Sequence, residues 1–393
     1  MTDSDKYDVA ISGGGLAGLT AAHALGLSGR SVALCAPQTL PETDRRTTAL
    51  LNDSVEYLNQ LELWEALAEK SCPLKTMRLV DGTRRLFRIQ QTDFQAQEIG
   101  IDAFGYNVRN SDVLNLLGEK LCSNLDVTLI DANVEALETS APGEIKINLK
   151  TADGASSSIT TGFIIGADGR NSLVRKHYGH GERKWSYPQS AIVVDFKHQH
   201  ATGFASTEFH TESGPFTIVP QGNYLAGLVW LEEPSIAKQI ASLPEQELNL
   251  LLEEKMQSFL GKITVVDDPQ IFPISGMTAN RFGDQGHALI GEAAHVFPPI
   301  GAQGFNLGIR DIRDLVNILG KHADTENAGY QYHLSRIGDI NTRTMGVDLL
   351  NRSLLSGFLP VQMIRSAGIF ALNNIPPLRK QAMKLGMSPI FNG

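Results

Sequence analysis

The chain has 393 residues, 42% of them hydrophobic, with 34 basic side chains against 43 acidic ones and a net charge of −9. That length accommodates two domains with separate cores; the acidic balance argues against nucleic acid as a general partner, and no stretch approaches the roughly 18 apolar residues of a membrane-spanning helix. The polar start MTDSDKYD is unlike a secretory signal, which points to the cytoplasm. Cys35, Cys72 and Cys122 are too widely spaced for a metal knuckle or a CxxC pair and read as incidental thiols.

Tyr7 to Ser12 is a short buried-strand pattern that enters Gly13-Gly14-Gly15-Leu16-Ala17-Gly18 and then a helix ending near Leu27, with Ser31 to Cys35 as the next strand. A glycine-rich turn at such a strand-to-helix junction is a phosphate loop, because the helix directs its free amides and positive dipole end at an anion. Helical spacing covers about Leu50 to Lys70 and, after Asn110-Ser111-Asp112, Val113 to Cys122, with a β-rich stretch between. Val127 to Lys150 alternates as a hairpin turning at Asp153-Gly154, and Phe163 to Arg170 (FIIGADGR) is a buried strand ending in a tight Asp-Gly turn. From Lys176 to Phe272 aromatic-punctuated alternating strands predict a large antiparallel sheet with one helix near Pro244 to Leu260.

His287 to Ile290 predicts one more buried strand, delivering the segment Gly291 to Asp311 (GEAAHVFPPIGAQGFNLGIRD). Phe305, Leu307, Ile309, Ile312, Leu315, Val316 and Leu319 then recur at helical spacing. Gly301 and Gly304 allow close backbone approach to a ligand, while Pro298-Pro299 removes two amide donors and leaves their carbonyls as acceptors. From Leu349 to the C-terminus there is no Asp or Glu, yet Arg352, Arg365, Arg379, Lys380 and Lys384 are present, which suggests contact with an anionic membrane surface or a partner protein.

Three glycine-containing turns, Gly13 to Gly18, Gly166 to Ser172 and Gly291 to Asn306, each follow a buried strand, so all three can lie along the carboxyl edge of one sheet and share one long dinucleotide. In order and content they resemble the motifs of class A FAD-dependent aromatic hydroxylases with the para-hydroxybenzoate hydroxylase type of fold. Within that class, GAQGFNLGIRD, Arg365-Ser366-Ala367-Gly368 and Pro376-Pro377-Leu378-Arg379 look like the ubiquinone-biosynthesis hydroxylase subfamily.

The resemblance implies an α/β protein with a glutathione-reductase-type Rossmann FAD-binding domain (residues 1–75, 106–178 and 273–345), an inserted antiparallel β-sheet substrate domain (76–105 and 179–272) and a C-terminal helical tail (346–393). It implies FAD as cofactor, NAD(P)H as reductant, O2 and a polyprenyl phenol as substrates, and other quinone-biosynthesis enzymes as partners. Carried across by position, the FAD-binding residues are Gly13, Gly15, Leu16, Ala17, Gly18, Arg46, Arg109 or Asn110, Asp168, Gly291, Glu292, Gly301, Gln303, Gly304, Phe305 and Asn306. Asp168 can equally be plain turn chemistry. In that family oxygen adds to the reduced flavin, giving a C4a-hydroperoxyflavin whose distal oxygen is attacked by the electron-rich ring; the Pro299 carbonyl would orient the phenol. Phe209, Phe216, Ile218, Val219, Leu228 and Trp230 could keep water out, or could be sheet core.

Two positions depart from the family pattern. Cys35 and Ala36 stand where an acid should accept the adenosine ribose, leaving Glu42 or Asp44 as substitutes, and Glu292 replaces the usual Asp. These departures keep open a flavin-poor, non-catalytic subunit of a quinone-biosynthesis assembly; a hydroxylase of a soluble phenol is the other alternative. Trp185 stands alone, without the pattern of flavin halogenases. His295 reads as a histidine packed between strand and loop and bonded to backbone. His198 and His200 read as an exposed strand face rather than metal ligands, and no metal site is expected.

Overall fold

The computed structural model describes residues 6–37, 46–83, 91–141, 143–298, 303–321, 326–355, 368 and 370–387. Strand β1 (Lys6–Ser12), helix α1 (Leu16–Leu27) and β2 (Val32–Cys35) open the chain, followed by β3 (Thr47–Leu51), α2 (Asn52–Gln60) and α3 (Trp64–Ala68). Next come β4 (Cys72–Pro73), β5 (Thr76–Asp81), β6 (Thr92–Gln95), β7 (Gly105–Arg109), α4 (Asn110–Cys122), β8 (Val127–Ile130), β9 (Asn133–Ala141), β10 (Glu144–Lys150), β11 (Ser156–Gly166) and α5 (Leu173–His177). A second region holds β12 (Glu182–His198), β13 (Ala205–His210), β14 (Pro215–Pro220), β15 (Leu225–Glu232), α6 (Pro234–Ala241), α7 (Glu245–Lys255), β16 (Ile263–Val265) and β17 (Gln270–Ala279). Finally come β18 (Gly283–Asp284), β19 (His287–Leu289), β20 (His295–Val296), α8 (Gln303–Lys321), α9 (Ala328–Leu355) and α10 (Pro376–Met387).

The first sheet runs β18-β19-β11-β1-β2-β8, with β10 and β9 continuing from β11. Neighbouring strands β19, β11, β1, β2 and β8 are parallel, and successive strands leave β1 on opposite sides, making β1 the switch point where such folds bind ligands. Ser12 pairs with both Cys35 and Gly166, and Gly166 with Leu289. The last residues of β1, β2, β11 and β19 therefore stand in one row, and the loops after them start from one edge.

The second sheet runs β20-β17-β12-β15-β14-β13-β5-β6. It is antiparallel, as expected, except where β5 joins β13 in parallel. The strands β5 and β6 come from an earlier part of the chain and extend the sheet beyond β13, with β6 at the edge. A small sheet, β3-β7-β4, is bonded to α8 through Leu51 N and Asn306 and to the end of β14 through Asn107 and the Pro220 carbonyl. The helical pattern read over Leu50 to Lys70 divides into α2 and α3 around Glu62, whose φ of 56° interrupts a helix. Val127 to Ile130 is not hairpin but the parallel edge strand β8. The turn at Asp153-Gly154 is present between β10 and β11, with Gly154 at φ 90°. Among the described residues no helix is long and apolar enough to cross a membrane.

Candidate active site

Loop and helix contacts bring the three glycine turns together. Gly13, at φ 117°, lies against the second turn, where a Cβ would stand 2.3 Å from the Ala167 carbonyl oxygen. Gly18 packs on Gly13, and Ala17 of α1 touches the third turn, 3.0 Å from where a Gly291 Cβ would be. Gly308 of α8 lies beside both Gly291 and Ala17. Gly15 differs: among the described residues no atom lies within 4 Å of its would-be Cβ, and it is the N-cap of α1 with no side-chain cap. The first amides of α1 thus lack a side-chain cap beside space that no described residue fills at Gly15, as a pyrophosphate cradle requires. Gly304, in the first turn of α8, is likewise clear of neighbours among the described residues.

Asp168 serves its own turn with one oxygen, Oδ2, which accepts from the amides of Leu173 (2.7 Å) and Val174 (3.3 Å). Its Oδ1 is buried with no hydrogen-bond partner among the described residues. A buried, unpaired carboxylate oxygen is costly, so it marks a place where a donor such as a ribityl hydroxyl belongs. Glu292 is half-exposed and pairs with Arg170 (3.1 Å). The buried Arg175 donates to the carbonyls of Ala293 (2.8 Å) and Arg170 (2.6 Å), binding the second turn to the third.

Other candidate residues are turned elsewhere. Both ends of the buried Asn306 amide hold β3: Oδ1 accepts from Leu51 N (2.9 Å) and Nδ2 donates to Ala49 O (2.8 Å). Arg109 reaches the second sheet, with Gln221 at 3.2 Å and Asp195 at 3.8 Å. The exposed Arg46 precedes β3, where its carbonyl accepts from Asn110 N. Leu16, Ala17 and Phe305 are partly buried against the main core. Pro299, Gly301, Glu42, Asp44 and Arg365 lie outside the described residues, as does the side chain of Gln303. Burial pushes the Cys35 thiol up to about 12, so it puts no charge at the end of β2.

Two readings are corrected. His295 is buried but bonds to a side chain, Asp311, at 2.6 Å. His198 is buried rather than exposed, its Nδ1 facing the His200 carbonyl, and no group of metal-ligating side chains occurs among the described residues. Of the two readings given for the apolar residues of the second sheet, the core is what forms: Phe209, Phe216, Ile218, Leu228 and Trp230 pack with Leu248, Leu252 and Met256, on the face covered by α6 and α7. The face met by Arg109 instead carries Asp195, Gly227 and Val219, with Val193 and Val229. Alternation reveals two faces but not which one a later helix covers.

The sequence profile of the FAD binding domain family matches residues 6–335. The chain belongs to the FAD binding domain family. It is 30% identical to the ubiquinone hydroxylase UbiL of Rhodospirillum rubrum, over 99% of this chain and 92% of that protein. Against the 3-demethoxyubiquinol 3-hydroxylase of Escherichia coli the identity is 28%, over 97% and 98%. The p-nitrophenol 4-monooxygenase PnpA of Pseudomonas putida shares the fold, with a TM-score of 0.81 at 16% identity over 99% of this chain and all of that one. This is a class A FAD-dependent aromatic hydroxylase of the ubiquinone subfamily, with FAD as cofactor and NAD(P)H as the reductant typical of the family. The open cradle at Gly15 and the orphaned Asp168 Oδ1 fit that cofactor.

Proposed function

We propose that this chain hydroxylates the aromatic ring of a polyprenyl phenol during ubiquinone biosynthesis, using FAD, NAD(P)H and O2. The observation that carries the reading is the convergence of the three glycine turns on the edge of β1, β11 and β19, with the Gly15 cradle open. Bound FAD supplies the activation of oxygen. In this reading the α1 amides after Gly15 hold the pyrophosphate, Asp168 Oδ1 and Glu292 take ribityl hydroxyls, and the first turn of α8 stabilises negative charge on the reduced ring. The Pro299 carbonyl orients the phenol hydroxyl. Arg109, Arg46, Gly291, Gly301, Gln303, Phe305 and Asn306 form the surrounding wall, Asn306 by bracing β3. The β3-β7-β4 sheet and the face with Asp195 and Val229 enclose the ring and exclude water, which preserves coupling between reductant and product.

The division into an FAD-binding domain (1–75, 106–178, 273–345), a substrate domain (76–105, 179–272) and a tail (346–393) is part of this proposal, supported by two separate apolar cores. So is a cytoplasmic protein peripheral on the membrane or on partner enzymes. Exposed Phe370, Ile375 and Leu378 beside exposed Lys380 and Lys384 support that surface.

Purified protein tests the reading: a yellow protein whose flavin NAD(P)H reduces, and which then forms hydroxylated product, supports it. Deleting the gene and identifying the accumulating quinone precursor by mass spectrometry names the substrate. Colourless protein that still captures quinone-biosynthesis enzymes would favour the non-catalytic subunit, the alternative left open by Ala36 and Glu292 in the sequence. Turnover of simple phenols alone would favour a soluble substrate.

A further inference from the structure

Asp311, in the third turn of α8, is completely buried and gathers donors from three directions. Its Oδ2 accepts from Gly291 N (3.1 Å) and faces His295 Nε2 at 2.6 Å, while Oδ1 accepts from Arg336 Nε of α9 (2.9 Å). Gly291 and His295 are the two ends of the turn that carries Glu292, Ala293 and Ala294. Gly291, at φ 57°, points its amide back at Asp311. Arg336 is fixed in turn by Asp339 (3.0 Å) and Asp314 (3.3 Å). Burial alone would raise the Asp311 carboxyl, but His295, Arg336 and the donated hydrogen bonds hold it below the usual carboxylate range.

A single carboxylate on α8 thus grips both ends of the 291–295 bend that opens the third turn, while Arg175 ties that bend to the second turn. We propose that Asp311, acting through Gly291 and His295, is the positioning residue of the flavin site. It sets the third turn against the first turn of α8, and its buried charge lowers the flavin's tendency to accept electrons. This rests on the FAD reading. Asp311 is completely buried among protein groups, so it acts through the backbone that it fixes. Negative charge held near a ring that becomes anionic on reduction disfavours reduction, and a displaced turn admits water.

The test compares Asp311→Asn, His295→Gln and Asp339→Asn in the holoenzyme with the natural protein. Asp339→Asn removes another carboxylate from the same Arg336 without touching the turn. Four quantities are read: retained FAD, thermal midpoint, flavin reduction at a series of fixed potentials, and the fraction of NAD(P)H oxidation that yields H2O2 instead of product. Asp311→Asn is expected to raise the reduced-to-oxidised flavin ratio at fixed potential about tenfold and the peroxide fraction severalfold. His295→Gln raises the peroxide fraction less, and Asp339→Asn lowers the midpoint while leaving both flavin readouts unchanged. Asp311→Asn with unaltered ratio and coupling overturns the proposal, and so do equal changes in Asp339→Asn. Where Asp311→Asn does not fold, His295→Gln decides through the peroxide fraction. Natural protein that takes up no FAD would instead defeat the functional reading beneath it.

Discussion

Gly13 and Gly15 stand two residues apart in one loop and answer to different constraints. Gly13 combines a φ of 117° with a carbonyl oxygen 2.3 Å from any added Cβ, so Gly13→Ala is expected to cost about 2–4 kcal/mol of stability in urea unfolding. Gly15 has φ −79° and open space, so Gly15→Val should leave the thermal midpoint of the apoprotein nearly unchanged. Its side chain would occupy the pyrophosphate cradle, and retained flavin absorbance should fall at least tenfold. The glycine pattern marks the loop, but only contacts made from Ala167 separate the structural glycine from the one facing the ligand. Asp311 was hidden for a related reason. GIRD ends a readable motif, yet nothing in it indicates that the aspartate would meet His295 and an arginine on a helix that follows.

The tail helix α10 shows how an element can be legible in composition and misleading in role. Acid-free sequence suggested that its basic residues face a membrane, but Arg379 is turned inward. It forms a two-point pair with Glu98 (2.6 and 2.8 Å) and lies over the Phe94 ring. Met383 is buried with Ala96 and Phe104, so the helix closes on the edge formed by β6 and the turn after it. Arg379→Gln is therefore expected to speed amide exchange across 376–387 at least tenfold while the midpoint of the main transition stays put, as hydrogen-exchange mass spectrometry would record. The hydrogen bond from Arg379 holds the Glu98 carboxyl below its usual range. Its contribution is present at neutral pH and lost only as acid protonates Glu98. The second sheet offers a parallel case. Phe216→Ala, on the face covered by α6 and α7, should cost about 3–5 kcal/mol. Val229→Trp, on the face toward Arg109, should cost little stability yet lower turnover severalfold by narrowing the chamber.

Across the whole molecule, acid stability follows from buried histidines. Burial lowers His287 to about 4, with His180 Nε2 facing it at 2.6 Å, and burial lowers His23, His180, His198 and His333 as well. The folded His287 stays neutral while an unfolded histidine takes a proton below about 6.5, so the unfolded state binds more protons between those values. Stability should fall as pH drops through that window, by roughly 3 kcal/mol for His287 alone. Unfolding midpoints at pH 7.5, 6.5 and 5.5 should decline in order, and His287→Gln should flatten the slope; a midpoint constant over that range would contradict it. His287 sits where β19 begins and His180 just before β12, so the pair joins the two sheets near the chain crossover.

What the sequence by itself determined were the local events: strand, glycine turn, helix, repeated at residues 13, 166 and 291. Their alternation and turn chemistry depend on neighbours a few positions away. Only the tertiary structure decided which side of the second sheet is covered, that Arg109 and Arg379 bind carboxylates of the protein itself, and that Asp311 grips the third turn. Those outcomes depend on contacts between distant segments, whose pairing no local pattern encodes.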